Sequence, residues 1–596
     1  MIVKMKKVTI ATLASAVPST LNALRAWGAL HVVPVREPVS KETEDVRGRI
    51  GLLEGAMNSL SSRKGKGKPP PIASARETAQ QVLSMLDSRS QYQDRLQSVL
   101  KEIDRVKPLG DFSPSDFEYL RQNGLTARLY KCNRNDLNQM KISVPYAVVG
   151  EEGSLRYILT VSDEDYLLPF EEIAIPEKRL SEMKMEAEGM KKHIEDLERQ
   201  LDLYVAYTAS LKEESSLLRE GLEFAEVAAG AGQEGAVSYI QGYCPEDDLE
   251  RLRREAEGMG WAVTVEDPST ESEVPTLIRN PSWIRIIEPV FRLMGTVPGY
   301  EEYDVSLWFL ISLSVFFAIL VGDGGYGVLV LLGTYLARRR FKLAHKEPFI
   351  LFYVFSGATI LWGLITGNWF GVEHLARFPV LNWFVLPDLD SYSSNQDFMM
   401  QFCLALGAAH LTVAHILRCL RSLNSLRMLG EIGWILVLWF LYFLAGHLVL
   451  GRSIPSFATY LVILGLLLVA LFSNPTKSII RSLLLGLADL PLNIVRSFSD
   501  LVSYLRLFAV GYATLIVAIT FNKMAHDLGW SSLLNGIVAT SILILGHAMN
   551  IVMAALGVLV HGIRLNMLEF STHMGMNWSG QMYRPFRKRA GEHIRQ

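Results

Sequence analysis

Arg506 heads a run of sixteen residues, Leu507 to Asn522, that carries no charge and reads as the body of a membrane helix. A guanidinium stays protonated under any realistic condition, so it cannot enter a bilayer by neutralising itself. Placing it at mid-bilayer costs roughly 3 kcal/mol on insertion scales, which demands a partner or a water-filled cavity unless the side chain snorkels to the headgroups. A second arginine follows on the last apolar segment, in His561-Gly562-Ile563-Arg564-Leu565-Asn566-Met567-Leu568-Glu569. On an α-helix His561 and Arg564 share a face at i,i+3, while Arg564 and Glu569, five apart, match poorly. Asp500 lies six residues before Arg506 and falls on another face. Two arginines near membrane depth with no acid in register predict that their carboxylate partner belongs to another chain. An internal Arg–Asp or Arg–Glu bridge is the competing expectation.

His547, Asn550 and His561 recur at spacings of 3, 11 and 14, close to one helical stripe. Such a stripe either lines a hydrated proton path, with histidine changing charge near neutrality, or ties helices together by hydrogen bonds. Asp323, Ser503 and Tyr504 are further polar candidates of the same kind. Other chemistries find no support. The chain has no G-x-x-x-x-G-K-[ST] loop, no G-x-S-x-G elbow and no H-E-x-x-H pair, so neither an ATP site nor a cofactor is expected on it. Cys132, Cys244, Cys403 and Cys419 form no C-x-x-C pair, against a zinc site or disulfide framework. With 59 Lys and Arg against 61 Asp and Glu, no basic field points to nucleic acid.

The elements that must hold these groups fall into two halves. Residues 1–300 are charge-rich, and residues 301–596 carry long apolar runs, an integral membrane domain. Near the N-terminus Lys4, Lys6 and Lys7 before an apolar stretch imitate a signal peptide. A strand over Lys7–Ala11, a helix over Pro18–Trp27 and a strand over Leu30–Pro34 fit better. Val46, Ile50, Leu53, Met57 and Leu60 keep coiled-coil spacing, as do Met183, Ala187, Met190, Ile194, Leu197, Leu201 and Tyr204. Two such arms predict an antiparallel hairpin over 41–107 and 176–225, interrupted by a basic loop at Ser61–Pro71 before helix resumes near Ile72. A coiled coil that dimerises is the alternative. Strands at Ala147–Gly150 and Leu155–Val161 mark a distal α/β lobe at 108–175. A strand at Ala236–Gln241, a helix at Pro245–Met259 and a strand at Trp261–Glu266 mark a proximal one, 1–40 with 226–300.

Val305 to Leu336, as one helix, would be ~48 Å long against ~30 Å of hydrocarbon. The glycine-rich Gly322-Asp323-Gly324-Gly325-Tyr326-Gly327 at its middle lets the chain turn back, with one long tilted helix as the alternative. Spans near 349–371, 398–417, 430–450, 457–473, 494–522 and 533–570 follow. Only a total of eight crossings puts Arg338-Arg339-Arg340-Phe341-Lys342, Arg418, Arg421, Arg427, Lys477, Arg481 and the tail Arg584–Arg589 on one side with the soluble half. That side is then the cytoplasm, for both the N-terminal domain and the C-terminus. The last two helices are long and tilted.

Four motifs in order, Gly322–Gly327, Trp362-Gly363-Leu364-Ile365-Thr366-Gly367-Asn368-Trp369-Phe370-Gly371, Ser503-Tyr504-Leu505-Arg506-Leu507-Phe508-Ala509 and His561–Leu565, resemble the stator subunit of V-type and archaeal-type rotary ATPases, called subunit I in prokaryotes and subunit a in eukaryotes. The likeness covers essentially the whole chain. It implies a prokaryotic cell (inner) membrane protein beside a rotating ring of proteolipid subunits, each with a buried ion-binding carboxylate. Arg506 matches the arginine facing that ring, Arg564 the supporting arginine of the last helix, and His561 a polar position three residues earlier. Peripheral-stalk subunits would bind the arm, and the central stalk and catalytic ATPase sector belong to the same complex. Asp304-Val305-Ser306 replaces the usual Asp-Pro-Thr, and Ala554 and Leu492 stand where half-channel acids are expected, so the channel lining is not assigned by the resemblance. An independent secondary transporter and a membrane-anchored coiled-coil scaffold are the rival functions.

Overall fold

The computed structural model describes residues 1–65, 71, 74–139, 143–163, 166–269, 273–341, 346–393, 395–473 and 479–588. Most of the basic insert, the expected helix start at Ile72, Lys342, Lys477 and Arg589 lie outside them. The chain divides into two compact units, Pro34–Gly232 and the remainder from Met1–Val33 with Gln233–Arg587.

In the first unit the helix Lys41–Ser61 lies along Thr208–Gly230, and Ala75–Val106 along Leu180–Tyr204. Ser40 starts the first of these with a capping box to Thr43, satisfying two amides that the helix start leaves free. Leu53, Ala56, Leu60, Ala79, Val82, Leu201, Tyr204 and Leu211 share one apolar seam, and Ile103, Val106, Leu180, Met183 and Ala187 a second. Buried Ile50, Leu53, Leu60, Met183, Ala187, Met190, Leu197, Leu201 and Tyr204 fall on the expected 3,4 spacing. Between the outgoing and returning helices stands a four-stranded sheet in the order Tyr146–Glu152, Leu155–Ser162, Thr126–Asn133, Glu171–Ile173.

The second unit opens with Met5–Leu13, paired antiparallel on one edge with Val237–Pro245 and on the other with Ala262–Glu266. Lys7–Ala11, the stretch that imitates a leader, is thus a central strand. After the last helix the chain returns to the residues around this sheet, adding a separate two-stranded sheet. Gln581–Met582 pairs with Pro275–Thr276, the Phe586 amide donates to the Leu30 carbonyl at 2.8 Å, and the Arg584 amide donates to His31 Nδ1 at 3.0 Å. Gly580 is required there, because a Cβ would stand 2.0 Å from the Pro298 carbonyl oxygen.

Burial, with the nearby Arg584 charge, pushes the His31 imidazole below its ordinary value. An undocked segment therefore binds more protons than a docked one below about pH 6.5, and docking weakens as pH falls. Amide exchange at Tyr583 and Phe586, corrected for intrinsic rate, is expected to speed up between pH 7.5 and 5.5. Unchanged protection would remove His31 from the joint.

Among the described residues five helical runs are long and apolar enough to cross a membrane: Lys346–Thr366, Gln396–Arg421, Arg427–Leu450, Leu490–Leu528 and Leu533–Met574. Ser456–Phe472 is apolar but shorter. Ser306–Val321 and Gly324–Arg340 meet at a 118° bend. Gly322, at φ +66°, ends the first, and Asp323 caps the second by accepting the Gly325 and Tyr326 amides. The break is real, and the single tilted helix considered for Val305–Leu336 is replaced by a bent pair. The expected helix at 494–522 is also revised. Ile479–Val502 and Leu505–Leu528 are separated by a tight turn at Ser503–Tyr504, and together Leu490–Leu528 form a 39-residue run. Arg506 stands inside that run, at the second position of its second helix.

Candidate functional site

Arg506 is positioned from below. Tyr504, one of the largest fully buried side chains, bonds through its hydroxyl to His410 Nδ1 at 2.8 Å, and His410 stacks on Phe570 with ring centroids 4.4 Å apart. These rings lock the start of Leu505–Leu528 to the Gln396–Arg421 helix and to the last helix. Arg506 Nη2 then lies 3.2 Å from Glu569 Oε1, and Arg564 Nε lies 3.7 Å from the same oxygen. Glu569 is 3% exposed.

This corrects two expectations. Glu569 is a buried internal acid, so the partner of the two arginines does not have to come only from another chain. The i,i+5 spacing that argued against an Arg564–Glu569 contact is in register, because Val558–Gly562 and Leu565–Phe570 are π-helical. Five residues advance ~500° on an α-helix, some 140° past one full turn, whereas i→i+5 bonding brings them to one side. One capacity is left over. Arg506 Nη1 and Glu569 Oε2 have no hydrogen-bond partner among the described residues. Arg506 also lines an open groove of about 590 Å³ with Val495, Phe498, Ser499, Val502 and Ser503. Ser503 itself bonds back to the Ser499 carbonyl at 2.9 Å.

A second assembly was not legible in the sequence. Arg418 Nη2 meets Glu431 Oε1 at 3.0 Å, Glu431 Oε2 meets His415 Nδ1 at 2.8 Å, His415 Nε2 meets His573 Nδ1 at 3.0 Å, and His573 Nε2 meets Asp500 Oδ2 at 3.2 Å. Asp500, on a different face from Arg506 as expected, is thus occupied by His573. With carboxylates at both ends as acceptors, these three ring contacts require three N–H protons on two imidazoles. The chain is satisfied by one imidazolium, or by a protonated carboxyl in its place. Helices 396–421, 427–450 and 479–502 and the turn after the π segment each supply a member, and the signals were single histidines and an acid at the edges of apolar runs.

A third assembly gathers several predicted residues. Tyr326 Oη lies 2.7 Å from His547 Nδ1 and accepts from Asn550 Nδ2 at 3.0 Å, while His547 Nε2 lies 3.1 Å from Asn522 Oδ1. Asn522 donates to the Phe370 carbonyl at 2.7 Å, and the Phe370 amide donates to Asp323 Oδ1 at 2.9 Å. Asp323 is buried, and its Oδ2 has no partner among the described residues. His547 and Asn550 therefore converge, but His561 makes no hydrogen bond into this cluster; the π segment begins between them and turns the stripe.

No family model matches the chain. Among curated proteins it is similar to V-type ATP synthase subunit I of Borreliella burgdorferi, 31% identical over 99% of this chain and 100% of that protein. V-type ATP synthase subunit I 1 of Treponema pallidum is 30% identical over the same shares. A-type ATP synthase subunit I of Methanocaldococcus jannaschii is 24% identical over 83% of this chain and 74% of its own. The solved cytoplasmic N-terminal domain of subunit I, homolog of subunit a, of V-ATPase aligns with 44% of this chain at 15% identity and a TM-score of 0.23, too low to bear on the fold. Near-complete coverage at 31% identity makes this chain a member of the subunit I family of V-type and A-type ATP synthases.

Proposed function

We propose that the chain is the stator of a rotary ATPase, carrying ions between the membrane faces at its boundary with a proteolipid ring. The observation that carries this reading is the half-satisfied guanidinium: Arg506 keeps Nη2 on Glu569, its buried Nη1 has no partner among the described residues, and its side chain lines an open groove. A ring carboxylate entering that groove meets a fixed positive charge, which favours its ionised form and drives off its ion. Arg564 reaches the same Glu569 oxygen, so Glu569 keeps a partner while Arg506 changes its own.

Two polar chains flank the arginine. The Glu431–His415–His573–Asp500 chain, with basic Arg418 at its end, serves the face toward the soluble domain. The Asp323–Asn522–His547–Tyr326–Asn550 set serves the opposite face, and His561 lies between. Histidine chains of this kind relay protons. The bent pair counts as two crossings and Ser456–Phe472 as one, giving eight, with the N-terminal domain and C-terminus cytoplasmic. The paired helices of Pro34–Gly232 form an antiparallel coiled-coil arm, residues 1–300 being the stator arm that binds peripheral stalks.

A cysteine at Val495, which is exposed in the Arg506 groove, tests the contact. In the purified complex, Val495→Cys is expected to form a disulfide with a cysteine placed on the outer helix of the ring. ATP-driven transport should stop on oxidation and return on reduction. Absence of a ring adduct, or recovery of the chain without proteolipid and ATPase subunits, would overturn the reading.

A further inference from the structure

Between Lys346–Thr366 and Gln396–Arg421 the chain does not pass directly from one helix to the next. It forms a short two-faced element that neither the arginine site nor the polar chains use. The Leu386 amide donates to the Ile365 carbonyl at 3.0 Å and the Ser391 amide to the Thr366 carbonyl at 2.9 Å, pinning the element level with the end of Lys346–Thr366. Arg377 is held by Asp390 at 3.3 Å and by Glu373 at 3.5 Å. Leu389 is buried beneath it.

The inner face is polar. Asp390, Ser391, Ser393 and Gln396 line a cavity of about 50 Å³ with Asn368 and Tyr512, and Gln396 Nε2 donates to the Tyr512 hydroxyl at 2.5 Å. The outer face is the reverse. Phe378, Val380, Trp383, Phe384 and Leu386 all point outward, and Trp383 is 83% exposed, more than a folded chain leaves such a ring without a use. Trp383 and Phe384 sit edge to face at 5.2 Å.

We infer that Phe378–Leu386 is an interfacial anchor whose apolar face enters the lipid leaflet opposite the soluble domain, while its polar face frames the mouth of the cavity at Asp390 and Gln396. Three observations select lipid as the occupant. The element is tied by backbone hydrogen bonds to the end of a helix long enough to cross a membrane, so it lies at headgroup depth. Its exposed residues are of the Trp, Phe and aliphatic types that fill that layer. Its arginine is paired with its own acids, Glu373 and Asp390, and Phe378–Leu386 itself carries no charged residue with which to read a protein partner. Another turn, which joins Leu490–Leu528 to Leu533–Met574, likewise exposes Trp530, Leu533 and Leu534. The inference rests on the membrane topology of the proposed function but not on its arginine mechanism.

The test uses the assembled complex in proteoliposomes. Trp383→Cys carries an environment-sensitive fluorophore, with Asp388→Cys as the control on the same element. For the Trp383 label, lipids with a spin label near the headgroup are expected to quench about threefold more than lipids labelled near the chain end, and iodide is expected to quench weakly, as interfacial residues do. The Asp388 label should respond to iodide instead. Quenching of the Trp383 label by iodide alone would leave the face in water and overturn the inference. Shielding from both quenchers, with crosslinking to another subunit, would overturn it in favour of a protein partner. ATP-driven transport by the labelled Trp383→Cys complex distinguishes a failed anchor from a failed stator assignment, since it is expected to persist.

Discussion

Arg506→Ala is expected to lower ATP-driven ion uptake in reconstituted vesicles to below about one hundredth of the wild-type rate while the complex still assembles. At about 4 Å and an effective dielectric of about 20, a guanidinium stabilises a carboxylate by about 4 kcal/mol. That is roughly three orders of magnitude in the carboxylate's protonation constant. Without it a ring carboxylate passing the groove has little reason to release its ion. Assembly survives because Glu569 keeps Arg564, whose Nε is 3.7 Å away, and so is not stranded as an unpaired buried charge. Wild-type uptake by this variant would defeat the mechanism. Loss of the assembled complex would make Arg506 a structural ion pair with Glu569.

Glu569→Gln is expected to act differently: hydrolysis and uptake fall together, about tenfold or about 1.4 kcal/mol of barrier, with their ratio unchanged. The amide still accepts a hydrogen bond from Arg506 but no longer offers a competing negative charge. Arg506 then holds each ring carboxylate more tightly, and leaving becomes the slow step. Paired measurement of ATP turnover and uptake decides the matter. Normal turnover would show that the internal acid does not compete, and uptake lost with turnover retained would assign Glu569 to sealing the site.

What the sequence made legible follows from periodicity. Ile50, Leu53 and Leu60 on one arm and Met183 to Tyr204 on the other keep a regular spacing, and their burial follows it. The strands at Leu155–Val161 and Lys7–Ala11 were readable because alternation and turn residues bounded them. Arg506, Arg564, His547, Asn550 and Asp323 stood out because polar groups are rare in apolar runs. The misses have two causes. Helical-wheel reasoning assumes 3.6 residues per turn, and the chain departs from it at Val558–Gly562 and Leu565–Phe570, where Glu569 is brought to both arginines. His415, Glu431 and His573 escaped notice because 158 residues separate the two histidines, and only packing of separate helices makes them neighbours.

The return of Gly580–Phe586 to the N-terminal lobe has a mechanical meaning. A stator works only if the reaction torque on its membrane helices reaches an anchor without being dissipated in a soft joint. The last helix, which carries Arg564 and Glu569, does not end free. Within a dozen residues of Met574 its chain is bonded to Thr276, Ala29, Leu30 and His31, while the N-terminal amine is paired with Asp304 just before Ser306–Val321. The segments flanking the first and last membrane helices are thus tied at separate points to the residues around the N-terminal strands. Two separated attachments resist twisting as one swivel cannot, so in the proposed stator role a load applied at Arg506 would be shared between them rather than spent on turning a hinge.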